Sequence, residues 1–318
     1  MDSGSQVLIA LARRFAFRDL AELVPADAHH LRQLCEFGRQ LIDLDAEDFG
    51  EAGELIPPEF VGRALASRMP QRPDESSRGA LGSLVPAYRL FLAVMDVRWQ
   101  RRDMAALLAT AHIAAEYAPL LAWEPVLGHA GDPQRIAEAV VGADSLWGKD
   151  DAACPHTRPE QSAAARVLRV ANEPPSGWTA YLDRQHTNTS RALATCAIGC
   201  RHPCSVLTRV PPASRAALTD RVKTAVEYGD SAFVRLRHAA PVGHGFGVPT
   251  RSEVVDAWTT TRSRLSRYAP AASDPNDFVL PGLPAVFSAI AGTDVQPSSL
   301  VSDVATEVIE ALRTLDTQ

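Results

Sequence analysis

The chain has 318 residues, 46% of them hydrophobic and 22% charged, with a net charge of −6 and a pI near 5.9. That composition excludes a mostly disordered or collagen-like chain, and the acidic balance argues against a nucleic-acid partner. The length suits one large domain or two modest ones, with ample chain to bury a core.

Apolar residues recur at helical spacing, and strand-type runs of Val, Ile, Thr and Tyr are scarce, so the predicted fold class is all-α. Residues 7–17 predict the first helix; with no charged lead and no cleavage pattern, they do not read as a signal sequence. Leu31, Leu34, Cys35, Phe37 and Leu41 form one apolar stripe, and Val61, Leu65 and Met69 another, opened by Pro57 and Pro58. Segments 81–99 and 104–123 are long and strongly apolar, which predicts central, buried helices. Neither is an unbroken apolar run of about 18 residues, so no membrane span is expected. Asp132-Pro133 supplies a cap and a first-turn proline for a helix to about residue 141. Thr250 and Glu253 have capping-box spacing ahead of a helix over 254–268, and a last helix is expected over 298–315. Segments 70–77, 142–160, 172–177 and 269–284 read as loops, by their Gly, Pro and Asp content. Helices of similar composition flank each loop. This predicts a single helical domain over 1–318, with residues 1–50 as an N-terminal helical extension. Five cysteines without a secretory signal point to reduced thiols and a cytoplasmic protein.

Three constellations are candidates for chemistry. Cys196, Cys200 and Cys204 are spaced i, i+4, i+8, with His202 beside them. They suit zinc or an iron–sulfur centre, but Pro203 interrupts the helix and a fourth ligand is not evident, so a buried packing stripe is the plainer reading. Arg235-Leu236-Arg237-His238 ends a helical stretch and is followed by Gly243-His244-Gly245-Phe246-Gly247. A helix-borne histidine before a glycine-rich loop suits a haem iron, with two arginines for the propionates; a histidine favoured at a helix C-terminus is the alternative. His129 sits in the turn Gly128-His129-Ala130-Gly131, ahead of the helix at Pro133. The positive end of that helix would favour a neutral imidazole able to accept a proton, against the alternative of a plain interhelical turn. His112, with Glu116 one turn later, reads as a hydrogen-bonded core pair and as the rival acid–base candidate.

The run from His112 through Glu116 and His129 to Pro133, together with residues 235–249, resembles the bacterial haem-dependent L-tyrosine 3-hydroxylases. These belong to the histidine-ligated haem aromatic oxygenases, alongside tryptophan 2,3-dioxygenase. The resemblance covers roughly residues 80–265. It implies a helical bundle with haem b held by His238 as the axial iron ligand, Arg235 and Arg237 near the propionates, and His129 as the distal catalytic histidine. The implied reaction is hydroxylation of L-tyrosine ortho to the phenol by hydrogen peroxide, giving L-DOPA for natural-product (antibiotic) biosynthesis. The dioxygenase's Gly-Thr-Gly-Gly loop is absent, and Gly243 to Gly247 stand in its place, which argues against tryptophan cleavage. His244 is an alternative axial ligand. The rival readings are a metalloprotein using Cys196, Cys200 and Cys204, and a non-enzymatic helical ligand-binding protein. A homo-oligomer is compatible with all three.

Overall fold

A computed structural model describes residues 3–46, 49, 55–140, 177–199, 207, 210–239, 247–274 and 277–315. The fold is all-α: among the described residues there is no strand. The centre is α7 (Met104–Leu127). The Asp103 side chain caps it by accepting the Ala106 N–H at 3.1 Å, and Gly128 ends it in the left-handed conformation at φ 71°. At 1.5 Å per residue, α7 is roughly 36 Å long. Its Ala- and Leu-rich surface is covered by α6 (Val85–Gln100), α9 (Trp178–Gly199), α10 (Pro212–Gly229) and α13 (Leu283–Ala291). By length and composition alone α7 is the one described helix apolar enough to cross a membrane. The helices packed around it account for that apolar surface, since a helix enclosed by others is apolar on every side.

Two apolar clusters meet at α6. Tyr88, Leu92 and Met95 face the α7 cluster, while Leu90, Val94 and Val97 face a second one. Burial on two sides leaves α6 only a narrow polar strip, at Arg89, Asp96 and Gln100. The second cluster joins α1 (Ser3–Arg13), α2 (Phe17–Leu23), α3 (His29–Asp43) and α4 (Pro58–Leu65) to α14 (Leu300–Leu315). Residues of the 3–46 segment therefore share a core with α14. Arg63 of α4 reinforces this by an ion pair to Asp303 at 2.6 Å and a bond to the Ser299 hydroxyl at 3.0 Å. Arg98 ties the two clusters together. The residue is only 9% exposed, and its guanidinium donates to the carbonyls of Ile42 (2.8 Å) and Ala106 (2.6 Å) and to the Thr110 hydroxyl.

Local signals place several elements where they were expected. The Thr250–Glu253 capping box is present and launches α12 (Arg251–Leu265). α8 (Pro133–Val140) starts at its proline, with the Asp132 carboxylate accepting the Gln134 N–H at 3.1 Å. The helix expected over 7–17 is split instead, because Phe15 turns the backbone to φ 57° and α2 begins at Phe17. Segment 81–99 likewise divides into the short α5 (Gly79–Gly82) and α6. The loop expected over 269–284 contains a 3-10 turn at Pro270–Ser273 and gives way to α13 at Leu283. The loop expected over 142–160, most of that over 172–177, Cys200, His202, Cys204 and His244 lie outside the described residues.

Candidate functional site

His129 follows α7 in a turn that buries it to 1% exposure. Gly131, at φ 76°, shapes this turn; a Cβ there would come within 2.9 Å of a Leu120 methyl. The Ala130 N–H anchors the turn to the Leu81 carbonyl at 2.8 Å. The Nδ1 of His129 accepts the backbone N–H of Asp132 at 2.9 Å, so the proton of the neutral ring sits on Nε2. That Nε2 is buried and has no partner among the described residues. Burial, and secondarily the nearby Arg135 charge, lower the pKa from 6.5 to about 4, while Asp132 opposes them. His129 is therefore uncharged at neutral pH and offers a hydrogen-bond donor. The free lone pair that a proton acceptor needs is already engaged.

Beside it, Asp132 is 1% exposed and forms a two-pronged pair with Arg78, Nε and Nη2 each donating at 2.8 Å. Fork-to-carboxylate geometry of this kind fixes orientation as well as charge. The Arg78 guanidinium lies over the Trp178 ring, 5.9 Å from its centroid, and Trp178 stacks on Tyr181. The Trp178 indole N–H and the Tyr181 hydroxyl are also buried without a partner among the described residues.

A second polar cluster joins α7 to α9. His112 Nε2 lies 3.3 Å from one Glu116 oxygen and His186 Nε2 lies 3.6 Å from the other. The adjacent imidazoles of His112 and then His186 hold the Glu116 carboxyl well below the usual carboxylate range, so it is ionised. His186 is stacked on Tyr117, with ring centroids 4.4 Å apart, and Thr187 Oγ1 lies 3.1 Å from its Nε2. The expected His112–Glu116 pair is present, though half-buried rather than in the core, and sequence spacing could not reveal its third member. His186 comes from 70 residues further along the chain and meets Glu116 only because α9 packs on α7.

Tyr117 and Met69 form a shared wall between two hollows. One, of about 450 Å³, lies among the ends of α3 and α4 and the flanks of α6, α7 and α9. It has an apolar floor that includes Leu84, Leu90, Phe91 and Ile113. The other, of about 10 Å³, is lined by His186, Thr189 and the Ala130–Gly131 turn that carries His129. The larger hollow is of the size that holds a small ligand, and the smaller has room for about one water.

His238, Arg235 and Arg237 are elsewhere. α11 (Ala232–Arg235) runs into a 3-10 turn, Leu236–Ala239, in which His238 is exposed. Arg235 is also exposed and lies 3.9 Å from Asp230; Arg237 is half-buried. Tyr228, at the end of α10, donates to the Ala111 carbonyl at 3.2 Å, and Arg251, at the start of α12, bonds Trp99 just ahead of α7. The turn bearing His238 thus lies along the N-terminal half of α7, whereas His129 lies beyond its C-terminus. About 24 Å of helix separates Ala111 from Leu127 at 1.5 Å per residue. A distal acid–base group must reach the reacting atom directly, within about 3 Å, or through one water. His129 and His238 are thus tied to different ends of α7, whose interior carries Pro119 and Pro125. Among the described residues no group of three His, Cys, Asp or Glu side chains converges as a metal site. Cys196 is a buried thiol in the α7 cluster, in keeping with a packing role. Set against family models, curated proteins and solved structures, the chain matches none, so the site's own chemistry carries the functional reading.

Proposed function

We propose that this chain is an enzyme for a small, partly apolar molecule held in the 450 Å³ hollow, with the His112–Glu116–His186 cluster as its proton-handling group. The observation that carries this reading is the ionised Glu116 carboxylate, gripped by two imidazoles, one of which stacks on the Tyr117 wall of the hollow. A carboxylate that orients an imidazole is a recurrent way to poise a proton donor or acceptor. The test is thermal unfolding with a panel of aromatic amino acids and amines, for the wild type and for Ile113→Trp, which fills the hollow. At least one ligand is expected to raise the wild-type Tm and leave Ile113→Trp unmoved. Equal shifts in both proteins, or none in either, would remove the hollow as the site.

A second reading, favoured by the sequence run from His112 to Pro133 and by residues 235–249, is haem-dependent hydroxylation of L-tyrosine to L-DOPA with hydrogen peroxide. It shares the requirement for a pocket of amino-acid size. It takes its iron ligand from the 235–249 region and its place from natural-product biosynthesis in the cytoplasm. Reconstitution with hemin decides it: a histidine-type Soret band lost in His238→Ala, with L-DOPA formed from L-tyrosine and peroxide, supports the reading. A protein that takes up no hemin refutes it.

A further inference from the structure

The charged groups lining the larger hollow are Asp45, Arg68 and Asp183. Two of them already have partners: Asp45 pairs with Arg39 at 3.3 Å, and Arg68 pairs with Glu75 at 2.8 Å. Asp183, on α9, has no ion pair or hydrogen bond among the described residues. It lies one turn before His186 on the helix that forms the Tyr117 side of the hollow. Its field reaches the Tyr117 hydroxyl, which burial first and then the Asp183 and Glu116 charges keep protonated. Among the described residues, the hollow thus holds one negative charge without a partner, together with the Tyr117 ring and the apolar side chains of Leu84, Leu90, Phe91 and Ile113. Pockets of this kind take the body of a ligand on their apolar walls and fix its orientation through the few polar groups.

We propose that the hollow selects a ligand with a cationic amine on an apolar, aryl-sized body, the ammonium lying against Asp183 and the Tyr117 ring. Both contacts favour a cation: the carboxylate through direct charge, and the ring face through its quadrupole. A ligand whose only charge is a carboxylate is repelled at the same place. The inference rests on the hollow being a ligand site, and on no particular reaction there.

Calorimetric titration of the full chain with three probes of similar size tests it: tyramine, L-tyrosine and 3-(4-hydroxyphenyl)propionate. Tyramine and L-tyrosine are expected to bind, and the propionate to bind at least about five-fold more weakly than tyramine. Because Asp183 is solvent-exposed, its pairing contributes modestly, and Asp183→Asn should weaken tyramine about five-fold while Asp183→Glu retains most of the affinity. Asp183→Asn should leave the propionate unweakened. If the propionate binds as tightly as tyramine, or if Asp183→Asn leaves tyramine binding unchanged, charge selection is overturned while the hollow stands as a site. If none of the three probes binds the wild type, the hollow itself fails as the site, and the inference with it.

Discussion

Below pH 6.5, His129 should begin to cost this protein stability, and the cost can be worked from its surroundings. In the unfolded chain the imidazole takes up a proton near its ordinary pKa of 6.5; in the folded chain it resists until about pH 4. A depressed folded pKa means that the unfolded state binds more protons within this window. Stability is then fully present above pH 6.5 and is lost as pH falls toward 4. A tenfold difference in proton affinity between the two states is worth about 1.4 kcal/mol, so the full loss is on the order of 3 kcal/mol, and roughly 2 kcal/mol by about pH 5. Protonation would also force a second hydrogen onto Nδ1, which faces the Asp132 N–H at 2.9 Å, so donor would meet donor. Many carboxylates titrate in the same range, and the measurement must therefore be a difference. Urea unfolding of wild type and His129→Phe at pH 7.5, 6.0, 5.0 and 4.5 isolates it. The variant loses the hydrogen bond accepted from Asp132 and should be less stable at pH 7.5, yet the gap between the two proteins should close or invert as the pH falls. Parallel stability curves from pH 7.5 to 4.5 would refute the reasoning, because they would mean that His129 titrates alike in both states.

Three further outcomes follow from buried contacts. Asp132→Ala strands the Arg78 guanidinium and removes the cap on Gln134, and should cost about 3–5 kcal/mol in denaturant unfolding; replacing both members of the pair, as Arg78→Met with Asp132→Leu, should recover part of that loss. Arg98→Lys keeps the charge but cannot span the Ile42, Ala106 and Thr110 oxygens with one ammonium, so it should lower the unfolding free energy by about 1–3 kcal/mol, measured by the same method. Gly282→Ala should destabilise by more than the roughly 1 kcal/mol of an ordinary left-handed alanine. Gly282 has φ 87°, and the added methyl would lie 2.1 Å from the Ala272 carbonyl oxygen, so a several-degree drop in Tm is expected in a thermal melt.

Much of the architecture was legible in the sequence, because it rests on interactions between residues close along the chain. The capping box at Thr250 and Glu253, the Asp132–Pro133 start and the apolar stripe from Leu31 to Leu41 are local signals, and each marks a helix that is present. α9 and α10 lack a strong amphipathic pattern, so periodicity did not delimit them. The strongly apolar run over α6 announced burial but could not say that two separate clusters claim its opposite faces.

The candidate site was legible only in part. A histidine in a glycine-flanked turn drew attention to His129, but its character comes from the third dimension. The Asp132 N–H occupies Nδ1, and the folded turn withdraws the ring from water, turning an expected proton acceptor into a neutral donor. Spacing along α7 could pair His112 with Glu116, because i and i+4 share a face of any helix. Bringing His186 to the same carboxylate required α9 to dock on α7. Likewise, spacing left His129 and His238 both eligible for one centre, and only packing tied their surroundings to different ends of α7. The sequence by itself determined the helical class and marked many of the helices, since propensity, capping and periodicity act over a turn or two. The long-range partners of the functional side chains were decided by helix packing, because contacts between residues tens of positions apart leave no trace in the spacing of either.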